Sequence, residues 1–464
     1  MKKLALLALG LLLTGCTVGP KYERPAIDTP GAYRGESPGP STVASAESLG
    51  NEKWWEVFQD PVLQQLIATA LQQNYDVRIA ATRVLQEQAQ LGIARANQFP
   101  MAGAGAQAFS ERNPKISSAL SSYQTNVGEV DLSVLWNVDF WGKYRRETEA
   151  ARANLLASEW GRRAVLISVV SNVATAYFQL RELDSALEVS KNTLASRQDS
   201  LRLTNVLAKN GSASLLDVRQ SEQLVYTAAE TIPDFERQVA QQENALSILL
   251  GENPGDIPRG RQLTEQPNPP TVPAGLPSEL IERRPDIREA EETLIAANAQ
   301  IGVAKAAYFP SISLTGTAGL ESYSLTKLFT GSAGLWNATG SLAQPVFEAG
   351  GLHAGMRLAE AQEQQMLLTY KQTIQNAFQQ VSDSLVAYQK NREFREQQEL
   401  LTSAARDTDR LSNMLYQHGG ASYLQVLTSE TNYFAAELDL AQAQLNERLA
   451  LVQLYNALGG GWQQ

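Results

Sequence analysis

The side chains that most often carry enzyme chemistry are scarce in this sequence. It holds a single cysteine, Cys16, and two histidines, His353 and His418. No His-Glu-x-x-His metal motif occurs. Gly350-Gly351 and Gly459-Gly460-Gly461 lack the lysine and hydroxyl residues of a phosphate loop. The inventory predicts no catalytic residue, no cofactor and no metal, and it argues against an enzyme.

Acidic pairs are the remaining candidates for acid–base work. Glu291-Glu292 and Glu279/Glu282 lie in polar segments with helical character. Without a histidine or a second polar group at fixed spacing, such pairs usually form a solvated helix face. We therefore predict that these four carboxylates are exposed.

Cys16 has a more specific context. Lys2 and Lys3 precede the apolar stretch Leu4 to Leu13, which is too short to span a bilayer but suits a secretory signal. The following Leu13-Thr14-Gly15-Cys16 resembles a bacterial lipobox. It predicts removal of residues 1–15 as a lipoprotein signal peptide and attachment of diacylglycerol and an N-acyl chain, such as palmitate, to Cys16. Two such attachments anchor a protein stably to a membrane.

Charge and hydropathy argue against two classes of protein, those that bind nucleic acid and those that cross a membrane as helices. The formal net charge is −10, which opposes nucleic-acid binding because nucleic-acid partners carry basic faces. No later stretch approaches eighteen consecutive apolar residues, so no transmembrane helix is predicted. A membrane crossing would then require β-strands.

The chain contains an internal repeat with an offset of about 210 residues. The stretch 92–100 (GIARANQFP) is echoed by 302–310 (GVAKAAYFP), and 213–218 (ASLLDV) by 421–426 (ASYLQV). Seven prolines between Gly251 and Pro277 separate the copies. The predicted parts, in chain order, are an acylated extended arm 16–53, a first repeat 54–255 with strands about 100–140, a proline-rich linker 256–277, and a second repeat 278–464 with strands about 310–347.

Most of each repeat is predicted to be long helix. In the first repeat we expect helices from Asp60 to about Gln98, from 142 to 209 and from 215 to 250. In the second we expect them at 278–308, 351–417 and 422–458. Several keep the 3.5-residue spacing of coiled coils. Helices of this length indicate a rod or the wall of a tube.

Each repeat also changes to a period of two after its Phe-Pro pair. Ile312, Leu314, Gly316, Ala318 and Leu320 alternate with Ser and Thr, and Val130 to Asp139 alternates in the same way. Such strands fit either a membrane barrel around a wet lumen or a soluble sheet on a core.

If these strands form a barrel wall, four strands per chain cannot close it. An open edge in lipid is costly, so the chain must oligomerise. Two chains would give eight strands with a filled interior, and three would give twelve around a lumen. Trp136, Trp141 and Trp336 near strand ends suit aromatic girdles, while Asp131 and Asp139 are acidic lumen candidates.

Four motifs together resemble the TolC/OprM-like (NodT-type) outer-membrane efflux lipoproteins over essentially the whole chain. They are residues 15–25 (GCTVGPKYERP), 54–61 (WWEVFQDP), 283–288 (RRPDIR) and 456–462 (NALGGGW). The resemblance implies an α+β, mostly α, fold. It implies a homotrimer whose twelve-stranded β-barrel lies in the outer membrane, above a periplasmic α-barrel of coiled-coil-like helices. It also implies that this lipoprotein is a passive channel exporting drugs, as in antibiotic resistance, or other small solutes. The implied partners are a periplasmic adaptor, an inner-membrane RND pump and outer-membrane lipid.

The resemblance also implies a periplasmic tip that narrows the pore. Leu424 aligns with a hydrophobic constriction of the relatives and Gln425 lies beside it. Thr428 stands where relatives carry an aspartate, so this chain departs from their acidic ring. Leu424 also fits ordinary coiled-coil packing. A lock between helix pairs is implied as a Tyr416 hydroxyl bond to the Asp217 carboxylate; the alternative is that Asp217 caps its own turn.

Two other function classes remain open on sequence alone. A lipid-anchored periplasmic helical scaffold or adaptor without a pore would need no membrane strands. An envelope hydrolase would need a catalytic site that the sequence does not show.

Overall fold

The computed structural model describes residues 17–34, 49–113, 123–266 and 277–461. The signal segment and Cys16 itself lie outside these residues. So do the loop joining the first two strands, much of the linker and Trp462.

Nine α-helices occur in the described part of the chain. In order they are α1 Trp54–Val57, α2 Pro61–Gln73, α3 Tyr75–Ala96, α4 Lys143–Lys209, α5 Leu215–Leu250, α6 Pro277–Arg283, α7 Pro285–Ala306, α8 Gly351–Gln417 and α9 Tyr423–Ala457. Short 3-10 turns cover Leu49–Asn51, Leu263–Glu265, Leu325–Lys327 and Gly331–Ala333. The predicted long helices at 142–209, 215–250, 351–417 and 422–458 are thus confirmed to within a residue or so.

Two helices predicted to be continuous are interrupted. The helix expected from Asp60 to Gln98 breaks at Asn74, whose side-chain oxygen accepts from Asp76 N at 2.8 Å and whose amide donates to Leu249 O at 2.8 Å. In the second repeat the break falls at Arg284, because the residue before Pro285 disfavours helical geometry. The sequence periodicity continued across both breaks and did not reveal them.

The strands form one antiparallel sheet in the order β1-β2-β3-β4. They are β1 Met101–Asn113, β2 Tyr123–Val138, β3 Ser311–Ser322 and β4 Gly334–Ala343. The register pairs Val134 of β2 with Ala102 of β1 and Gly316 of β3. The prediction of two strands from each repeat is confirmed.

Two compact units divide the chain, and each takes segments from both repeats. Of the described residues, those within 1–26, 83–159 and 289–371 form the first unit, and its helices pack through a cluster of small residues. That cluster consists of Ala150, Ala153, Ala296 and Ala299. The described residues within 27–82, 160–288 and 372–464 form the second unit, with fully buried side chains such as Tyr177, Leu180, Leu454 and Tyr455.

Among the described residues, only α4 contains a window long and apolar enough to cross a membrane, with a mean hydropathy of 1.2. Within the structure 61% of that window is buried. Burial against neighbouring helices is the environment of a core helix, because a lipid-facing segment would leave its apolar side chains outward.

Candidate functional site: the sheet, the arm and the helix tip

The four-stranded sheet has one apolar and one polar face. Because paired residues of adjacent strands project to the same side, the register gathers the apolar side chains on one face. They are Ala104 and Ala106 of β1, Val130, Leu132, Val134 and Trp136 of β2, Leu314, Ala318 and Leu320 of β3, and Trp336 and Leu342 of β4. Leu132 is 54% and Trp336 80% exposed in the single chain. A contiguous exposed apolar face marks a surface that another apolar medium covers.

The opposite face carries hydroxyl and carboxylate groups. Ser313 and Ser341 lie 2.6 Å apart across β3 and β4, and Asp131 projects over Gly105. Asp139 does not belong to this face. It accepts from Tyr144 N at 3.0 Å and pairs with Arg145 at 3.2 Å, so it caps the first turn of α4 and its charge is balanced. The ion pair offsets the negative charge on which its prediction as an acidic lumen group depends.

Aromatic residues mark the end of the sheet next to the helices. Trp136 Nε1 donates to Gln98 O at 3.1 Å, and Trp141 Nε1 donates to Pro310 O at 2.8 Å. The Trp141 ring stacks on Phe309 with a centroid distance of 4.6 Å. Indole rings with one paired N–H and an apolar body suit a membrane interface.

Residues 17–26, the first described part of the predicted extended arm 16–53, are fixed against this same end of the sheet. Val18 N donates to Trp141 O at 3.1 Å, and the buried Arg146 donates to Val18 O at 3.2 Å. Gly19, with φ of +106°, lies so close to Gly302 that a Cβ on Gly19 would collide with the Gly302 backbone. Thr17 contacts Gly142 closely, so the residue after Cys16 lies beside the end of β2.

Glu291 of α7 binds two side chains of the arm. It pairs with Arg24 at 2.9 Å and accepts from the Tyr22 hydroxyl at 3.3 Å. Only 6% of Glu291 is exposed. The prediction that Glu291 belongs to a solvated face is therefore wrong. The arginine that partners it lies 267 positions away in the sequence, too far for any local pattern to indicate.

At the helix tip, the three predicted aperture residues share one exposed face at the start of α9. Leu424 is 60% exposed, Gln425 is exposed, and Thr428 Oγ1 donates to Leu424 O at 2.8 Å. The opposite face buries Tyr423 and Val426. Leu424 therefore does not pack within its own chain, although its coiled-coil spacing allowed that interpretation.

Both turns of the tip have the same construction. Gly211 and Gly419 have φ values of +75° and +76°, a left-handed conformation that ends helices. Ser212 N donates to Leu207 O, and Gly420 N donates to Leu415 O, each at 2.8 Å. The equivalence follows from the internal repeat.

The predicted bond between Tyr416 and Asp217 is not formed in this structure. Asp217 completes a capping box with Ser214: its carboxylate accepts from Ser214 N at 2.8 Å, and its N–H donates to the Ser214 hydroxyl at 3.1 Å. The buried Tyr416 hydroxyl has no hydrogen-bond partner among the described residues. Burial raises the pKa of Tyr416, and the charge of Asp217 raises it further. The two groups interact through charge alone.

No cluster of three or more metal-ligating side chains occurs in the described residues. What the parts do offer is a sheet with an apolar outer face, an arm held at its end, and a helix tip with an exposed leucine. These are parts for spanning a membrane and bounding a pore.

The profile of the outer membrane efflux protein family matches this chain twice, at residues 66–252 and 276–460. The cation efflux system protein CusC of Escherichia coli O6:H1 is 36% identical over 465 residues, covering 100% of this chain and 99% of CusC. The toluene efflux pump outer membrane protein TtgC of Pseudomonas putida is 37% identical, covering 99% and 96%. Among solved structures, the outer-membrane channel OprN superposes with a TM-score of 0.89 at 28% identity, covering 97% and 100%.

The chain therefore belongs to the outer membrane efflux protein family. It is an outer-membrane efflux channel and not an enzyme, and its location is the outer membrane. The two profile matches confirm the internal repeat. The channel prediction is confirmed, and the pore-free scaffold is set aside.

Proposed function

We propose that three copies of this chain form the outer-membrane conduit of a tripartite efflux system. A periplasmic adaptor and an inner-membrane RND pump would supply the other two parts and the energy. The observation that carries the proposal is the sheet of one chain: β1 and β4 are edge strands without outer partners, and the apolar face beside them is exposed.

Closure of the barrel fixes the number of copies. A lone four-stranded sheet in lipid would leave two rows of backbone N–H and C=O groups unpaired, each costing several kcal/mol. Two chains would supply eight strands, whose interior side chains fill the barrel. Three chains would supply twelve strands, pair every edge and leave a wet lumen lined by the polar face.

Cross-linking across chains tests this arrangement directly. Within one chain β1 and β4 are separated by two strands, about 14 Å, beyond the reach of a disulfide. A cysteine at Ala106, combined with a cysteine at Trp336, Ala338 or Gly340, should therefore form links only between chains. We expect a ladder that ends at three chains on non-reducing gels.

The matched control moves the first cysteine to Val130, which pairs with Ala106 but lies inside the sheet. It should give no ladder. A purified protein that is monomeric by light scattering and forms no Ala106 cross-links at any β4 position would refute the trimer.

The exposed face of Leu424, Gln425 and Thr428 supports a second part of the proposal, that these residues bound the periplasmic aperture. Its rim is uncharged, since neither Gln425 nor Thr428 bears a carboxylate. In this structure the Asp217 carboxylate is bound in its own helix cap. The Tyr416–Asp217 lock would therefore form only in a different state of the tip, in which this carboxylate turns toward the Tyr416 phenol. We propose export of small solutes or drugs, with selection made by the pump.

A further inference from the structure

A cluster of three charged residues, two buried and one half-buried, lies between the two helical hairpins that end at the tip. Hairpin α4–α5 contributes Arg197, and hairpin α8–α9 contributes Asp409 and Glu430. Arg197 is 2% exposed and Glu430 is 8% exposed. We call these three residues the tip cluster. Buried charges are costly unless they are paired and hydrogen-bonded, so their hydrogen bonds decide how stable this packing is.

Only some of these bonds are made. Ser200 Oγ on α4 donates to Glu430 Oε1 at 3.1 Å, and Asn413 donates to Asp409 Oδ1 at 3.1 Å. Arg197 donates to the Leu224 carbonyl of α5 at 2.9 Å. Its guanidinium lies 5.0 Å from the centre of the Phe434 ring, which partly stabilises the cation.

Four polar atoms in this region have no hydrogen-bond partner within the described residues. They are Glu430 Oε2, Arg197 Nε and the hydroxyl groups of Tyr416 and Tyr423. The two tyrosines, together with Ser200 and Asn413, line a cavity of about 260 Å³. The packed hairpins therefore leave polar groups unsatisfied next to space that water would occupy if the hairpins moved apart.

The charges are also unbalanced. Two carboxyl groups face one guanidinium. Burial raises the pKa of Glu430, and the negative charge of Asp409 adds to this, while the Ser200 bond and Arg197 oppose it. Burial likewise raises the pKa of Asp409, against the effects of Ser429 and Arg197. The packed arrangement thus favours a proton on the carboxyl pair.

We propose that the tip cluster is a proton-controlled latch: the packed hairpins hold a proton on the Asp409–Glu430 pair, and loss of that proton favours their separation. This inference rests on the proposed function, since it assumes a pore that opens at this tip. Glu430 and Asp409 act here as positioning residues, because they set the distance between hairpins and touch no transported solute.

The sign of the pH dependence follows from proton linkage. Separation exposes the carboxyls to water, where their pKa values are ordinary and lower. The packed state consequently binds more protons and is most stable in acid. As the pH rises above the ordinary carboxyl range, the open-to-closed ratio should increase, by up to about tenfold per pH unit for each proton released.

Other titratable groups reach this site and must be considered. On α9, the Tyr423 phenol faces Glu430, and Glu437 reaches Asp409. From α5, the charge of Asp217 reaches Tyr423 and Tyr416. The phenols stay neutral in the carboxyl range, because burial raises the pKa of both. Carboxyl titration therefore dominates the response.

Conductance in planar bilayers, measured on the acylated full-length protein between roughly pH 4 and 8, tests the latch. Wild-type open probability should rise with pH. Glu430→Gln keeps the shape of a protonated carboxyl and should stay mostly closed, with a flattened pH profile. Asp439→Asn, an exposed carboxylate on the same helix, is the matched control and should behave as wild type.

A second variant keeps the test decisive if Glu430→Gln assembles poorly. Ser200→Ala removes a bond that stabilises the ionised carboxylate, so its midpoint should move to higher pH. A wild-type pH slope in Glu430→Gln, or an unmoved midpoint in Ser200→Ala, would overturn the latch. A wild-type channel that conducts equally at every pH would sink the latch alone, whereas a wild type that never conducts would sink the proposed function.

Discussion

At the residue scale, the buried Asp60 shows how one side chain holds the segment between the repeats. It is 1% exposed and accepts from the Tyr177 hydroxyl and the Gln266 amide, each at 2.8 Å, and from Arg261 N at 3.0 Å. Burial alone would raise the pKa of Asp60, but these hydrogen bonds outweigh it and lower the pKa. A carboxylate so bound stabilises the fold at neutral pH.

We predict that Asp60→Asn lowers the free energy of unfolding by about 2–3 kcal/mol at neutral pH, because the amide cannot accept from every donor. Denaturant unfolding followed by circular dichroism would measure it. Since the pKa of Asp60 is lowered, the wild-type advantage should shrink as acid protonates the carboxylate. Asp256→Asn, at an exposed position of the same segment, should change little. Equal stability of wild type and Asp60→Asn would contradict this account.

Leu424 supplies a second test at this scale. If its exposed side chain narrows the pore, Leu424→Ala should raise single-channel conductance in planar bilayers. The control is Leu216→Ala, because Leu216 is the repeat equivalent of Leu424 and is comparably exposed, at 65%. An equal effect of both substitutions would show that Leu424 has no special place at the aperture.

At the element scale, the arm and α7 pack at a distance that only glycine permits. A Cβ on Gly302 would lie 2.9 Å from the Arg146 side chain, and Gly19 lies against Gly302 from the arm. The repeat equivalent of Gly302 in α3, Gly92, has nothing within 4 Å. The two copies of this motif thus have different surroundings, because the arm covers Gly302 in the second copy but not Gly92 in the first.

We therefore expect Gly302→Val to release the arm and expose the trypsin site after Lys21. Limited proteolysis followed by mass spectrometry of the N-terminal peptide would show faster cleavage than in wild type. Gly92→Val is the matched control, with the same substitution in open space. Similar cleavage rates in the two variants would mean that the arm is not held by this contact.

At the scale of the whole molecule, an acyl anchor on Cys16, as the sequence predicts, must reach the same membrane as the sheet. Thr17 lies beside the end of β2, next to the stacked Trp141 and Phe309 rings. Acyl chains on the preceding residue would therefore start at the level where the aromatic rings mark the interface. This placement supports the proposed acylation of Cys16, which itself lies outside the described residues.

Intact-mass measurement of the purified protein tests the anchor. We predict a chain that begins at Cys16 and carries a diacylglycerol and an amide-linked acyl chain. Cys16→Ser should lack this added mass. A wild-type mass equal to the bare polypeptide would refute lipidation.

The sequence by itself determined the parts whose information is local. Periodicities of 3.5 and 2 located the long helices and the strands, glycines located the tip turns, and the echoes at constant offset revealed the repeat. Repetition and periodicity survive in one dimension because neighbouring residues along the chain share the same face.

Tertiary structure decided what depends on distant partners. It broke one predicted helix at Asn74, whose side chain binds a backbone carbonyl far along the chain, and it buried Glu291 against Arg24. It placed Arg197 within reach of the charges of two carboxyls of another hairpin. Such pairings follow from which faces meet in space, and no spacing within one segment records them.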